Sequence, residues 1–122
     1  MKCNEMNLGD ATRVTPSGRI DLSNADEFKD FLLSALSRVK SALILDLSGV
    51  DYISSAGLRS AMIVFKAAKA EGKTFAVAAL QPLVLEIFTI SRFHLIFPLF
   101  ATVRDAVEAH APDALTAFDN AH

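Results

Sequence analysis

The fold is decided by the stretch Ala42-Leu43-Ile44-Leu45-Asp46-Leu47-Ser48-Gly49-Val50-Asp51-Tyr52-Ile53-Ser54-Ser55-Ala56-Gly57-Leu58-Arg59. Its first part, residues 42–47, is a compact apolar run bounded by polar residues, which is typical of a strand buried on both faces of a mostly parallel sheet. From Leu58 onward apolar residues recur at helical spacing, and Gly72 is well placed to end that helix. The stretch therefore predicts a strand, a connecting segment and a helix, as in an α/β fold.

The residues upstream of this stretch predict two short strands and a helix. Strands are expected at 13–15 and 19–20, separated by a bend. An amphipathic helix is expected over about 25–39, because apolar residues recur there on one face. Asn24 and Glu27 have the spacing of a capping box at its start.

The residues downstream continue the alternation of strands and helices. A strand is expected over 74–78, a short helix from Pro82, a strand over 95–100 and a last helix from Thr102. Pro98 would remove a ladder donor, so the strand that contains it belongs at a sheet edge or a bulge. The order of elements predicts a mostly parallel mixed sheet of about four to five strands, with about four helices packed against it.

Length and composition predict one folded domain. The chain has 122 residues, of which 52% are hydrophobic and 21% charged. That is enough apolar surface to offset the entropy of ordering a single core, and too little chain for a second domain. We expect the domain to span residues 1–111, followed by a loose tail at 112–122.

Charge and cysteine content narrow the classes of function. Twelve Lys and Arg against fourteen Asp and Glu give a net charge of -2. Because the positive charges are scattered and form no basic stripe, we expect no nucleic-acid partner. A single cysteine, Cys3, and the lack of metal-ligand spacing favour a cytoplasmic protein with no metal and no cofactor. The apolar runs are shorter than the ~18 residues that span a bilayer, so we expect no direct membrane insertion.

The segment between the buried strand and its helix is the place where a reactive group is expected. In α/β sheets the carboxyl ends of strands open onto helix N-termini, whose free amides favour anions. Ser54 and Ser55 stand there, followed by two small residues that leave the turn accessible. A hydroxyl at such a position either caps the helix or carries a phosphate, and residue chemistry alone leaves both alternatives open.

Two motifs resemble those of one known family. The segment 46–59 is similar to the phosphorylation segment of STAS-domain anti-sigma factor antagonists. Upstream, Ser17-Gly18-Arg19-Ile20-Asp21 with Ala25 and Phe28 resembles the second-strand motif of the same family. The resemblance runs from about Val14 to His110 and implies a single STAS domain.

The resemblance also implies a mechanism and partners. In that family a serine kinase of the histidine-kinase-like ATPase fold, itself an anti-sigma factor, phosphorylates the serine that aligns with Ser55. A metal-dependent phosphatase reverses the modification. The unmodified antagonist binds the kinase and displaces the sigma factor, whereas the phosphorylated form cannot. We therefore expect a regulatory protein that is not an enzyme.

The candidate site residues follow from the motif and from a helical wheel. Ser55 is the expected phosphoacceptor. Many relatives have Asp-Ser-Ser-Gly where this chain has Ser-Ser-Ala-Gly, which makes Ser54 a rival acceptor. On the second helix, the wheel leaves Arg59, Ser60, Ile63 and Ala67 on the outer face. Ile63 is the large apolar residue among them and suits an interface anchor. The motif match of Asp21 implies that it lies near Ser55. The predicted partner-binding surface comprises Asp21, Ser54, Ala56, Gly57, Arg59 and Ile63.

Two other functions remain as alternatives. The chain could be a constitutive structural STAS subunit of a signalling scaffold or of a transporter-associated complex. It could also be an enzyme with Ser55 as nucleophile, but no histidine or acid stands at a recognisable triad spacing, and the residues around Ser55 do not form the Gly-x-Ser-x-Gly elbow of a hydrolase.

Overall fold

The strands form two sheets in a computed structural model, which describes residues 1–121. The strands are β1 (Cys3–Leu8), β2 (Ala11–Pro16), β3 (Gly18–Ile20), β4 (Ala42–Asp46), β5 (Val50–Ile53), β6 (Thr74–Ala78) and β7 (Leu99–Phe100). The helices are α1 (Ala25–Arg38), α2 (Ser55–Ala70), α3 (Pro82–Ile90), α4 (Val103–His110) and α5 (Leu115–Ala121), with 3-10 turns at Phe93–Leu95 and Pro112–Ala114.

The larger sheet is mixed and mostly parallel. Its strand order is β1-β2-β4-β6-β7, with β1 antiparallel to β2 and every other pairing parallel. A smaller sheet pairs β3 with β5 in parallel. The predicted class, an α/β fold with a mostly parallel mixed sheet, is confirmed.

The position of strand β4 in the fold explains why its sequence is a continuous apolar run. It lies in the middle of the larger sheet, and all five of its residues are buried. Leu43 and Leu45 belong to a core cluster with residues of α1, α2 and α3. Ile44, on the opposite face, belongs to a second cluster with α4 and α5. Both faces of β4 are therefore apolar because both are covered by helices.

Several expected boundaries differ from the structure at the ends of the chain. The expected loose tail is wrong over residues 112–121, because a 3-10 turn and α5 follow α4. Ala114 and Phe118 are buried in the second core cluster, which holds this segment against the sheet. His122 lies outside the described residues. The expected strand over 95–100 shrinks to β7, which starts after Pro98 and lies at a sheet edge. Pro98 stands just before the strand, where its missing N–H costs no ladder bond.

The expected capping box at the start of α1 does not form. Asn24 is the N-cap, but its side chain makes no cap hydrogen bond. It instead accepts from the Asp21 N–H at 2.9 Å and donates to the Arg19 carbonyl at 2.8 Å. Glu27 pairs with the N-terminal ammonium. Asn24 therefore fixes the chain that leaves β3, where the candidate site lies.

Asp46 anchors the turn between β4 and β5. Its side chain is 1% exposed. One carboxylate oxygen accepts from Arg13 Nε at 3.0 Å and Nη2 at 2.7 Å. The other accepts from the Ser48 N–H at 2.9 Å. The residue thus joins β2 to the turn that leads into β5.

We expect the Asp46→Asn substitution to lower the free energy of unfolding by about 2 kcal/mol, because it weakens the charge-assisted hydrogen bonds that the Asp46 carboxylate accepts from Arg13. Urea unfolding measures this. The matched variant Asp51→Asn changes an exposed carboxylate of β5 and should stay within about 0.5 kcal/mol of the parent. Equal losses in the two variants would contradict the anchoring role.

Candidate functional site

The ends of β3 and β5 bring the two sequence motifs together. In their parallel register Ile20 lies opposite Ile53. The Ser54 N–H donates to the Ile20 carbonyl at 2.9 Å, which extends the pairing by one step. Asp21 and Ser54 are the next residues along their strands, so they leave the sheet side by side. The predicted proximity of Asp21 to the serine pair follows from this register.

Ser54 is the N-cap of α2. Its backbone is extended, with φ -86° and ψ 172°, and its hydroxyl accepts from the Gly57 N–H at 3.2 Å. The helix starts here because this hydroxyl satisfies one of the backbone donors left free in a first turn. Ser54 therefore takes the capping role that the sequence left open between the two serines.

Ser55 occupies a different environment one residue later. It is the first residue of α2, and it is exposed. Within residues 1–121 its hydroxyl has no hydrogen-bond partner, unlike that of Ser54. The two serines thus differ in hydrogen bonding: the Ser54 hydroxyl caps the helix, and the Ser55 hydroxyl is exposed to solvent.

Gly57 is needed for close packing and does not form part of an exposed surface. It is buried, and a Cβ atom built on it would lie 2.7 Å from Ile53 Cγ1 and 2.8 Å from Ile20 Cγ2. No carbon can approach so closely without displacement of its neighbours. Its predicted place on the partner-binding surface is therefore corrected: Gly57 lets the start of α2 sit directly on β3 and β5.

Asp21 is held by a local hydrogen-bond network. Its Oδ1 accepts from the Ser23 N–H at 3.0 Å and from Ser23 Oγ at 2.5 Å. Its Oδ2 pairs with Arg19 Nε at 3.2 Å. Bonds from Ser23, and then the ion pair with Arg19, lower the pKa of the Asp21 carboxyl below its ordinary value. The site thus keeps a negative charge beside Ser54 at neutral pH.

Arg19 completes this corner of the site and was given no role from the sequence. Its guanidinium lies 4.1 Å from the centre of the Tyr52 ring, on the neighbouring strand. Ser23 was also missed. The spacing Asp21-x-Ser23 is that of a turn in which an Asp side chain bonds to the backbone two residues on, and this pattern could have revealed it.

The outer face of α2 carries the remaining predicted residues. Arg59 is exposed and Ala56 is half-buried. Ile63 is 43% exposed, as expected from the helical wheel. Ser60, which the wheel places outside, is buried and donates to the Ala25 carbonyl at 2.9 Å, because α1 packs along this side of α2. Ser55, Arg59 and Ile63 follow one another at a spacing of four residues on one exposed face.

No group of three or more His, Cys, Asp and Glu residues within residues 1–121 is placed to hold a metal ion. The helices in the same part of the chain lack the length and apolar character needed to span a bilayer.

The fold is that of a STAS domain. The family model described as STAS domain matches residues 7–106. BtrV of Bordetella bronchiseptica, a candidate anti-sigma factor antagonist, is 36% identical over 98 residues, which are 80% of this chain and 84% of that protein. The chain therefore belongs to the STAS domain family and is a relative of anti-sigma factor antagonists.

Solved structures agree with this assignment. An anti-sigma factor antagonist from Mycobacterium paratuberculosis has a TM-score of 0.80 at 25% identity, over 88% of this chain and 92% of that one. The anti-sigma factor antagonist SpoIIAA in its unphosphorylated form has a TM-score of 0.74 at 13% identity, over 88% and 95%. At that identity the likeness to SpoIIAA concerns the fold alone. The family resemblance stated from the motifs is confirmed.

Proposed function

We propose that the chain is an anti-sigma factor antagonist controlled by phosphorylation of Ser55. The unmodified form binds an anti-sigma serine kinase of the histidine-kinase-like ATPase fold and so releases the sigma factor that the kinase holds. Phosphate on Ser55 abolishes this binding, and a metal-dependent phosphatase restores it. The observation that carries the proposal is the free, exposed hydroxyl of Ser55 at the start of α2, next to a serine whose hydroxyl caps the helix.

The position of Ser55 suits a switch that changes the surface and leaves the fold intact. A phosphate adds roughly -1.5 to -2 charges at neutral pH. At the first position of a helix this charge meets the positive end of the helix dipole, which accommodates it. Arg59, one turn along the same face, adds a positive charge at the spacing of a helical ion pair. The modified chain therefore stays folded, and the effect of the phosphate is on the partner.

The phosphate acts against a partner that approaches this face. A protein surface built for a neutral hydroxyl must either strip water from the phosphate or accept added bulk and charge. The fixed carboxylate of Asp21 is already part of the same surface, so a second negative group increases the local charge. The chain takes part as a binding protein that is modified, not as an enzyme, in the cytoplasm where the kinase and its sigma factor reside.

Phosphorylation mapping tests the acceptor directly. We expect incubation with the kinase and ATP, followed by peptide mass mapping, to place one phosphate on Ser55. The Ser55→Ala variant should accept none, whereas Ser54→Gly, which leaves a tolerated cap residue, should still be modified. Phosphate on Ser54 in the Ser55→Ala variant at the parental rate would overturn the assignment. No phosphate on either serine would favour a constitutive structural subunit.

Ile63 tests where the partner binds. We expect Ile63→Asp to weaken kinase binding at least tenfold, which is about 1.4 kcal/mol, because an apolar anchor on the exposed face of α2 becomes charged. Calorimetric titration with the kinase measures the affinity. The matched variant Ala109→Asp adds the same charge to an exposed position of α4, beyond the other face of the sheet, and should bind as the parent does. Unchanged affinity for Ile63→Asp would place the interface elsewhere.

A further inference from the structure

A small cleft lies beside the first half of β6, near the end of α2 that is opposite Ser55. Strand β7 has only two residues and pairs with Val77 and Ala78, so among residues 1–121 no strand lies beside the earlier residues of β6 on that side. The cleft has a volume of about 200 Å³, which is below the roughly 300 Å³ or more of a drug-sized pocket and suits a small ligand. Its walls come from α2, the start of β6, the chain before β7 and α4, through Phe65, Lys69, Lys73, Thr74, Phe75, Pro98 and His110.

The backbone of Phe75 faces this cleft. On the β4 side, the Thr74 N–H donates to the Ser41 carbonyl at 2.9 Å. On the β7 side, the Val77 N–H donates to the Pro98 carbonyl at 2.9 Å. Because backbone groups of successive residues in a strand point to alternate sides, the N–H and C=O of Phe75 point to the β7 side, like those of Val77. Among residues 1–121 no acceptor is placed for the Phe75 N–H on that side.

The burial of Phe75 makes its unpaired N–H informative. The residue is 1% exposed. The chain before β7 does not supply an acceptor, because it turns back on itself there: the Phe97 N–H donates to the Phe93 carbonyl at 2.9 Å. Buried backbone donors in proteins are nearly always paired. An unpaired donor at the wall of a cleft therefore indicates a place for an acceptor from outside the chain.

Lys69 adds a positive charge to the same cleft. Its ammonium lies 5.7 Å from the centre of the Phe65 ring and forms no ion pair within the part of the chain that the structure describes. Lys73, by contrast, is already paired: its Nζ donates to the Leu36 carbonyl at 2.8 Å and lies 3.2 Å from a Glu71 carboxylate oxygen. None of the residues that line the cleft is acidic. The cleft thus combines a free cation and a free N–H with apolar walls, which is the chemistry that binds an anion with an apolar group.

We propose that this cleft binds a small carboxylate that carries an apolar group, such as an aromatic or a short branched carboxylic acid. One carboxylate oxygen accepts from the Phe75 N–H, and the Lys69 ammonium supplies the opposite charge. The apolar group packs against Phe65 and Pro98 and displaces water from them. The proposal does not rest on the function assigned to Ser55, which lies at the other end of α2.

Amide chemical shifts of the full chain during a titration with benzoate test the site. We expect a saturable shift of the Phe75 amide, with a dissociation constant on the order of 1 mM for a ligand of this size. Benzamide has the same shape without the charge, and acetate has the charge without the ring, so each should bind at least about tenfold more weakly. Equal binding of benzoate and either control, or benzoate shifts that leave the Phe75 amide unchanged, would overturn the proposal.

A pair of lysine variants tests the charge in the cleft. Lys69→Gln keeps most of the side chain and removes its charge, so we expect it to weaken benzoate binding about tenfold. The matched variant Lys66→Gln removes the same charge from an exposed position of α2 that does not line the cleft, and it should bind benzoate as the parent does. Urea unfolding verifies that both variants are as stable as the parent. Parental affinity in Lys69→Gln, or an equal loss in Lys66→Gln, would show that the cleft does not select the carboxylate.

Discussion

Replacing Ser55 with Asp is expected to weaken kinase binding by about 100-fold. Complete phosphorylation of Ser55 is expected to weaken it by about 10⁴-fold, or ~5.5 kcal/mol. The two differ because aspartate carries one charge and fewer acceptor oxygens than a phosphate. The loss arises in the complex, where the exposed first residue of α2 would be buried against the partner. Calorimetric titration of the kinase with each form measures both values.

Two further variants separate this effect from others. Ser55→Thr keeps a hydroxyl at the first helical position and should bind within a few-fold of the parent. Ser37→Asp adds the same charge near the far end of α1 and should bind as the parent does. If Ser37→Asp weakened binding as much as Ser55→Asp, net charge and not the position of Ser55 would control the partner.

The free chain should change little when it is phosphorylated. Amide chemical shifts of the modified and unmodified forms are expected to differ around Asp21 and over residues 51–63 only, because the start of α2 accommodates the charge locally. Shifts spread across the larger sheet and α4 would instead show a conformational switch, and the surface mechanism would be wrong.

Replacing Gly57 with Val is expected to have the largest effect on stability, a loss of about 3 kcal/mol in the free energy of unfolding. The first added carbon alone would come within 2.8 Å or less of side-chain atoms of Ile20 and Ile53. Both isoleucines are buried beneath the helix start, so the start of α2 must move away from β3 and β5. Thermal or urea unfolding measures the loss.

The neighbouring residue provides the control for Gly57. Ala56→Val introduces the same side chain into the same turn at a half-buried position and should cost less than about 1 kcal/mol. Because Gly57→Val also displaces Ser55, it should weaken kinase binding even at temperatures where the chain is folded. Equal stability of the two valine variants would show that the packing under Gly57 is not tight.

The elements that could be predicted from the sequence are those whose packing produces a recognisable pattern of apolar residues. β4 and β6 are apolar on both faces because helices cover both sides of the larger sheet. α1 has one buried stripe and matches its expected range within one residue. The serine pair was placed correctly at the start of the second helix, because the helical spacing of apolar residues begins just after it, at Leu58.

Other elements left no such pattern. β1 is exposed along most of its length, since it lies at an edge, and its polar residues show no alternation of the kind that marks a strand. β5 is only four residues long and was included in the connecting segment. Because β5 was not predicted, only the family resemblance could suggest that Asp21 lies near Ser55. The register of β3 on β5 supplies the physical reason.

The burial of individual side chains on α2 could also not be predicted from the sequence. A helical wheel places Ser60 on the outer face, because it assumes one buried stripe. α2 is packed along two sides, by α1 and by β6, so its buried surface is wider than one stripe. The burial of Gly57 likewise depends on two isoleucines from different strands, which only the tertiary structure brings together.

Native mass spectrometry of a competition tests the central claim most directly. Equal amounts of the unmodified chain and of the chain phosphorylated on Ser55 are mixed with a limiting amount of the kinase, and the mass of the bound form is read from the complex. We predict that essentially all of the complex contains the unmodified chain. A complex that holds both forms in equal amounts would contradict control of partner binding by Ser55.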